Sequence, residues 1–149
     1  MTDTMTKKQR SKCMSLIKSK NTRPEIAVRQ LVHRMGYRFR LKPRKLPGSP
    51  DIVLTRHRAV IFVHGCFWHR HRDCRFSYMP KSREAFWRKK LEANVHRDRR
   101  AMQELRKLGL KPLVIWACQI SDSYRLQRRI MDFLTKRASM PSRTDPDIE

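Results

Sequence analysis

"AVIFVHGCFWHRHRDC", residues Ala59 to Cys74, runs an apolar stretch straight into a crowd of ligand-type side chains. Ala59 to His64 has the composition of a strand buried on both faces. The continuation is harder to explain as structure. It brings Cys66, His69, His71 and Cys74 together with the adjacent rings of Phe67 and Trp68. Arg70, Arg72 and Asp73 are interspersed, so this loop is not core. Thiolate sulfur and imidazole nitrogen are the ligands zinc prefers, and the spacing Cys66-x4-His71-x2-Cys74 lets one loop supply three of the four. Cys118, at the end of a second apolar run, is the expected fourth. With every valence taken by protein, a zinc ion (Zn2+) there would be structural. A buried free thiol is the plain alternative for any single cysteine. It suits Cys13 and explains the cluster poorly.

Working outward, "NTRPEIAVRQLVHRMG" carries a helix signature: Thr22 caps, Glu25 completes a capping box, Pro24 fits the first turn and Gly36 stops the run. Its apolar face is expected at Ala27, Leu31 and Met35. "YRFRL", Tyr37 to Leu41, alternates like a half-buried strand. The turn "KLPGSP" then leads into a strand "DIVL", the turn "TRHR" and the strand "AVIFVH", which together predict a hairpin. Between Ser82 and Leu108, the residues Leu91, Val95, Met102 and Leu105 mark one face of a long basic helix that Gly109 ends. "PLVIWA" predicts a buried strand, and Leu126, Ile130 and Leu134 share a face of a last helix. This order predicts an α/β domain over residues 21–138, a mixed sheet flanked by helices. Residues 1–20 are expected as a basic arm or short helix, and residues 139–149 as a disordered tail.

The chain has 149 residues with 36 Lys and Arg against 13 Asp and Glu, a net charge of +23 spread along its length. Such a surface repels itself unless a polyanion neutralises it, and nucleic acid gains affinity by releasing counterions at each phosphate contact. No apolar run approaches the roughly 18 residues of a membrane span, and the start lacks the apolar centre of a secretory signal. Cytoplasmic residence is expected, with the cysteines as thiols or metal ligands.

Asp51, after Pro50 at a strand mouth, can serve a hard cation such as magnesium (Mg2+), which takes one or two carboxylates plus phosphate oxygens. For Asp51 taken alone, ordinary turn chemistry is the favoured explanation. If His71 goes to zinc, His64 and His69 remain for binding phosphate or moving protons. Glu25 has a complete role as a cap, yet a carboxylate can also orient a basic histidine. Phe67 and Trp68 offer faces for stacking on bases, Trp87 could serve either stacking or packing, and Trp116 suits the core.

"SKCMSLI", "NTRPE", "LPGSPDIV", "VIFVHGCFWHRH", "FWRKKLEANVHRDRR" and "LVIWAC" resemble, in that order, the very short patch repair endonucleases, mismatch-directed DNA nicking enzymes. The resemblance spans about Ser11 to Cys118, and the "HGCFWH" core is its most specific part. It implies a restriction-endonuclease-like fold, a PD-(D/E)XK variant in which Phe62-Val63-His64 replaces the usual acidic-x-lysine strand. The implied substrate is duplex DNA nicked beside the thymine of a T:G mismatch. By the resemblance, Asp51 and the main-chain carbonyl of Val63 hold magnesium, His64 contacts the scissile phosphate, and His69, oriented by Glu25, is the general base. Phe67, Trp68 and Trp87 would form a wedge beside the mispair, Met14 of the arm would enter from the other groove, and Lys90 and Asn94 would lie near the mismatched bases. A nucleoid-associated bacterial monomer is implied, with mismatch-repair proteins as candidate partners. Val63 stands where the family pattern has Thr, which a carbonyl ligand tolerates. An extra residue between His71 and Cys74 leaves His69 or His71 to close the zinc site. The rival expectations are a non-catalytic zinc-stabilised nucleic-acid-binding protein and a nuclease of the same fold with another DNA substrate.

Overall fold

A computed structural model describes residues 6–15, 22–41 and 46–136, and the side chains of residues 13–15 are not described. The expected tail, much of the arm and the side chain of Met14 therefore lie outside the described residues. Helix α1 is Lys7–Ser15, in the expected arm, and α2 is Arg23–Arg34. The strands are β1 (Arg40–Leu41), β2 (Ile52–Leu54), β3 (Ala59–His64) and β4 (Lys111–Trp116). Helix α3 (Glu84–Lys107) crosses from β3 to β4, and α4 (Ser123–Thr135) follows.

The sheet runs in the order β1-β2-β3-β4, with β1, β2 and β3 antiparallel and β3 parallel to β4. A parallel pair needs a long crossover, which is what α3 supplies. The expected hairpin is present, with Ile52 opposite Ile61 and Leu54 opposite Ala59, closed by a short 3-10 turn, Thr55–His57. Strand alternation separates two cores. Ile52, Leu54, Ile61, Leu113 and Ile115 pack against α2 and α4, while Val53, Val60, Phe62, Val114 and Trp116 pack against Met102 and Leu105 of α3. The central strands are thus covered on both sides, as their unbroken apolar runs require.

Local chemistry places the helices. Thr22 Oγ1 accepts the Glu25 amide at 3.4 Å, opening α2 at the expected cap. Of the expected face, Leu31 is buried and Met35 packs at the core's edge, but Val28 and Val32 are fully buried where Ala27 is only half-buried, because the helix lies between β3 and α4 and turns those residues to both. The strand expected from Tyr37 shortens to Arg40–Leu41. Tyr37 and Phe39 pack on the first core without joining the ladder, and Leu41 is exposed. At the end of α3 the amides of Gly109 and Leu110 donate to the carbonyls of Arg106 and Leu105, a left-handed cap that a φ of +80° at Gly109 makes possible. Lys111 Nζ donates to the carbonyls of Phe133 and Lys136 at 2.6 and 2.9 Å, tying the end of α4 to the start of β4. No helix among the described residues is long and apolar enough to cross a membrane.

The turn before β2 is pressed onto α3. A Cβ at Gly48 would sit 2.6 Å from Ala101 Cβ, with φ at +72°, whereas a Cβ at Gly109 would meet nothing within 4 Å. Gly48→Ala is expected to destabilise by about 2–4 kcal/mol, combining overpacking with left-handed strain. Gly109→Ala carries only the strain, about 1 kcal/mol. Thermal denaturation of the two variants measures the difference, and equal shifts in Tm would contradict this packing.

Candidate active site and metal centre

Because β3 and β4 run parallel with His64 paired to Trp116, the residues two places beyond each, Cys66 and Cys118, emerge at the same end of the sheet. The loop after β3 folds back on itself: the amide of His69 donates to the Gly65 carbonyl at 3.1 Å and that of His71 to Cys66 at 3.0 Å. Arg70 and Asp73 take left-handed φ values of 57° and 54°, each immediately before a ligand-type residue, His71 and Cys74. The result brings the donor atoms of Cys66, His71, Cys74 and Cys118 within 4.8 Å of one another. His71 Nδ1 lies 3.4 Å from Cys118 Sγ. A tetrahedral ion bound at about 2.3 Å to sulfur and about 2.0 Å to nitrogen needs ligand separations of roughly 3.5–3.8 Å, so the donor set fits one metal ion.

The electrostatics of the group point the same way. Burial, together with the neighbouring thiols of Cys66 and Cys74, pushes the Cys118 thiol up to about 12. Burial also raises Cys66. Left to themselves the Cys66 and Cys118 sulfurs stay protonated, and a cation is what would make them thiolates. His71, and not His69, stands with the three cysteines.

His69 is engaged elsewhere. Its Nδ1 lies 2.7 Å from Asp98 Oδ2, and its ring stacks on His64 with centroids 3.8 Å apart and planes within 6°. His64, Asp98 and His69 also bring ligand-type atoms within 4.8 Å. Parallel rings 3.8 Å apart cannot both aim in-plane lone pairs at one ion about 2 Å away, so this trio lacks the geometry of a metal site. His64 is 5 % exposed. Burial, and then the neighbouring His69, lower its pKa to about 3 against an opposing pull from Asp98. A cavity of ≈ 50 Å³, lined by His64, His69, Asp98, Arg99 and Trp116, leaves room for water beside the pair.

Asp98 is the residue that sequence reasoning missed. The apolar stripe of α3 steps from Leu91 to Val95 and then by seven to Met102. Position 98 completes the regular four-three-four-three spacing, so a carboxylate stands where the helix turns inward. That interruption was the available signal. Orientation of His69 was expected from Glu25, and the carboxylate found on Nδ1 is Asp98's instead. Glu25 sits on α2, across the sheet from α3, 6 % exposed and bonded to Arg29 Nη2 at 3.3 Å. Asp51 Oδ2 accepts the Val63 amide at 2.7 Å, which fixes the carboxylate against β3 at the residue before His64.

The expected wedge residues also converge. Phe67 meets Trp68 and Trp87 at 5.0 and 5.6 Å, and Trp68 meets Trp87 at 5.9 Å, joining the loop to the start of α3. Lys90 Nζ lies 5.5 and 5.7 Å over the Trp68 and Trp87 rings, and Asn94 Nδ2 donates to the Trp68 carbonyl at 3.1 Å. Tyr78 and Phe86, not anticipated, extend the cluster from Phe67 and Trp87. Both are exposed, so the rings form a face toward solvent.

Residues 2–75 match the family model described as DNA mismatch endonuclease Vsr. Over 134 residues the chain is 48 % identical to "Type II nicking enzyme V.XorIIP" of Xanthomonas oryzae pv. oryzae, covering 90 % of this chain and 98 % of that protein. It is 39 % identical over 130 residues to "Type II nicking enzyme V.NmeAIP" of Neisseria meningitidis serogroup A, covering 87 % and 92 %. With "DNA mismatch endonuclease Vsr" of Escherichia coli it shares 40 % identity over 126 residues, covering 85 % and 80 %.

A histidine whose pKa falls on folding binds its proton better in the unfolded chain, so acid favours unfolding. For His64 the stability is complete above the unfolded value near 6.5 and declines as pH falls from there toward about 3. The slope is at most about 1.4 kcal/mol per pH unit. Thermal scans from pH 7.5 to 5 should show wild type losing stability faster than His64→Phe, which lacks the titration. Parallel curves would contradict the buried neutral imidazole.

Proposed function

The chain belongs to the Vsr DNA mismatch endonuclease family, and we propose that it nicks one strand of duplex DNA beside the thymine of a T:G mispair by magnesium-dependent phosphodiester hydrolysis. The single observation that carries this reading is His69, held by Asp98 on one nitrogen and stacked on a neutral His64, at a cavity with room for water. A purely binding protein has no use for that arrangement. With Nδ1 committed to Asp98, Nε2 of His69 is the free base that takes the proton of the attacking water. His64 contacts the scissile phosphate as a neutral hydrogen-bonding group. Asp51 and the main-chain carbonyl of Val63 would hold magnesium, which would supply charge compensation for the hydrolysis. Glu25 stays in the proposed catalytic set on the family resemblance.

Zinc is the proposed ion of the Cys66–His71–Cys74–Cys118 group, since three sulfurs and one imidazole nitrogen within 4.8 Å of one another match the ligand set of its structural sites. It would brace the loop that carries Phe67 and Trp68. Those rings and Trp87 act as a wedge, with Lys90 and Asn94 beside the mispaired bases and Met14 of the arm on the opposite groove. Unstacking a step costs a few kcal/mol and least at a mismatch, so the wedge itself selects damaged sites. The net charge of +23 supports a duplex as partner. The fold is proposed as a restriction-endonuclease-like PD-(D/E)XK variant. Cytoplasmic, nucleoid-associated residence as a monomer, with mismatch-repair proteins as partners, completes the reading.

A labelled duplex with one T:G pair, beside its T:A control, tests it with magnesium present or chelated. One cut is expected, in the thymine strand of the mismatched duplex alone and only with magnesium. Asp51→Ala should abolish cutting while binding survives, and Asp98→Asn should slow it about 10²–10⁴-fold by releasing His69 from its proper tautomer. Equal binding to both duplexes with no cut would replace this reading with a binding protein. Uniform cutting of both would reassign the substrate.

A further inference from the structure

We propose that Trp116 is a positioning residue that transmits the closure of the metal group to the His64–His69 pair, an inference that rests on the catalytic reading above. Trp116 lies beside His64 across the β3–β4 ladder and is 5 % exposed. One face of its indole stacks on His71 at 4.3 Å, with planes 12° apart. Its ring also meets His64 at 5.4 Å and 68°. His64 in turn stacks on His69, and His69 is bonded to Asp98. Four rings therefore run without interruption from a metal ligand to the proposed base.

Interiors are close-packed, so His71 cannot shift without displacing the indole or opening a void, and the indole cannot shift without disturbing His64. Packing alone does not ask for tryptophan at this place. Its Nε1 is buried with no hydrogen-bond partner among the described residues, which costs stability that a phenylalanine would not lose. What the larger bicycle adds over a single ring is simultaneous contact with both imidazoles. The metal group would thus set the orientation of the histidine pair in addition to the shape of the wedge loop.

The test uses the full chain with its metal, as Trp116→Phe and Trp116→Leu. Metal content, affinity for the T:G duplex, single-turnover nicking and the imidazole resonances are measured for each. Metal content and affinity should match wild type, while nicking falls about tenfold in the Phe variant and about a hundredfold in the Leu variant, as small misplacements of reacting groups do. The His64 and His69 ring signals should shift, with those of His33, His57 and His96 unmoved. Unmoved His64 and His69 signals would overturn the proposal, as would a nicking loss that merely tracks lost metal or lowered Tm in both variants. Should wild type fail to nick at all, the resonances still decide whether Trp116 positions the pair.

Discussion

The structure depends on one closure: Cys66, His71 and Cys74 of a single loop meeting Cys118 from the next parallel strand. Register alone brings the two strand ends together, because His64 and Trp116 are paired and each is followed two residues later by a cysteine. The loop after β3 folds back on itself, with left-handed backbone at Arg70 and Asp73. Non-glycine residues hold that conformation only where their surroundings over-determine it. Four ligand-type donors converging within 4.8 Å of one another are such a surrounding. The same closure decides which histidine is free, since His71 is turned to the sulfurs while His69, two residues earlier, is turned back to His64 and Asp98.

Burial and charge divide the site into three regions with different chemistry. The sulfurs of Cys66, Cys74 and Cys118 stand close enough to share a cation with His71. A few ångströms away, burial keeps His64 neutral, so the stacked pair does not carry two positive charges face to face. On the outer side, exposed rings of Tyr78 and Phe86 extend the Phe67–Trp68–Trp87 cluster, and Lys90 adds charge above it. A buried neutral imidazole, a cluster of thiols and a basic aromatic face suit the proposed action on one phosphate of a polyanion.

Much of this was legible in the residues because it is written locally. The apolar runs of β3 and β4, the Thr22 cap and the Gly109 stop fix their elements by short-range rules. The spacing of Cys66, His71 and Cys74 likewise announces a ligand loop. What escaped was set by tertiary contact. Tyr37 and Phe39 alternate like strand residues but are drawn onto the core near α2 and α4, leaving a two-residue β1. Asp98 was hidden because its partner is 29 positions away in the chain, and only the docking of α3 brings the two within 2.7 Å. Glu25 lies on a helix that packs on the other face of the sheet, and the carboxylate on His69 Nδ1 comes from α3.

The account therefore stands on the metal group taking one histidine and leaving the other to Asp98. X-ray absorption at the edge of the bound metal in the purified protein measures this most directly. Three sulfur neighbours at about 2.3 Å and a single imidazole nitrogen at about 2.0 Å are expected, unchanged in a His69→Ala variant. Two imidazole nitrogens, or one that vanishes with His69, would contradict it, because the proposed base would then be a ligand.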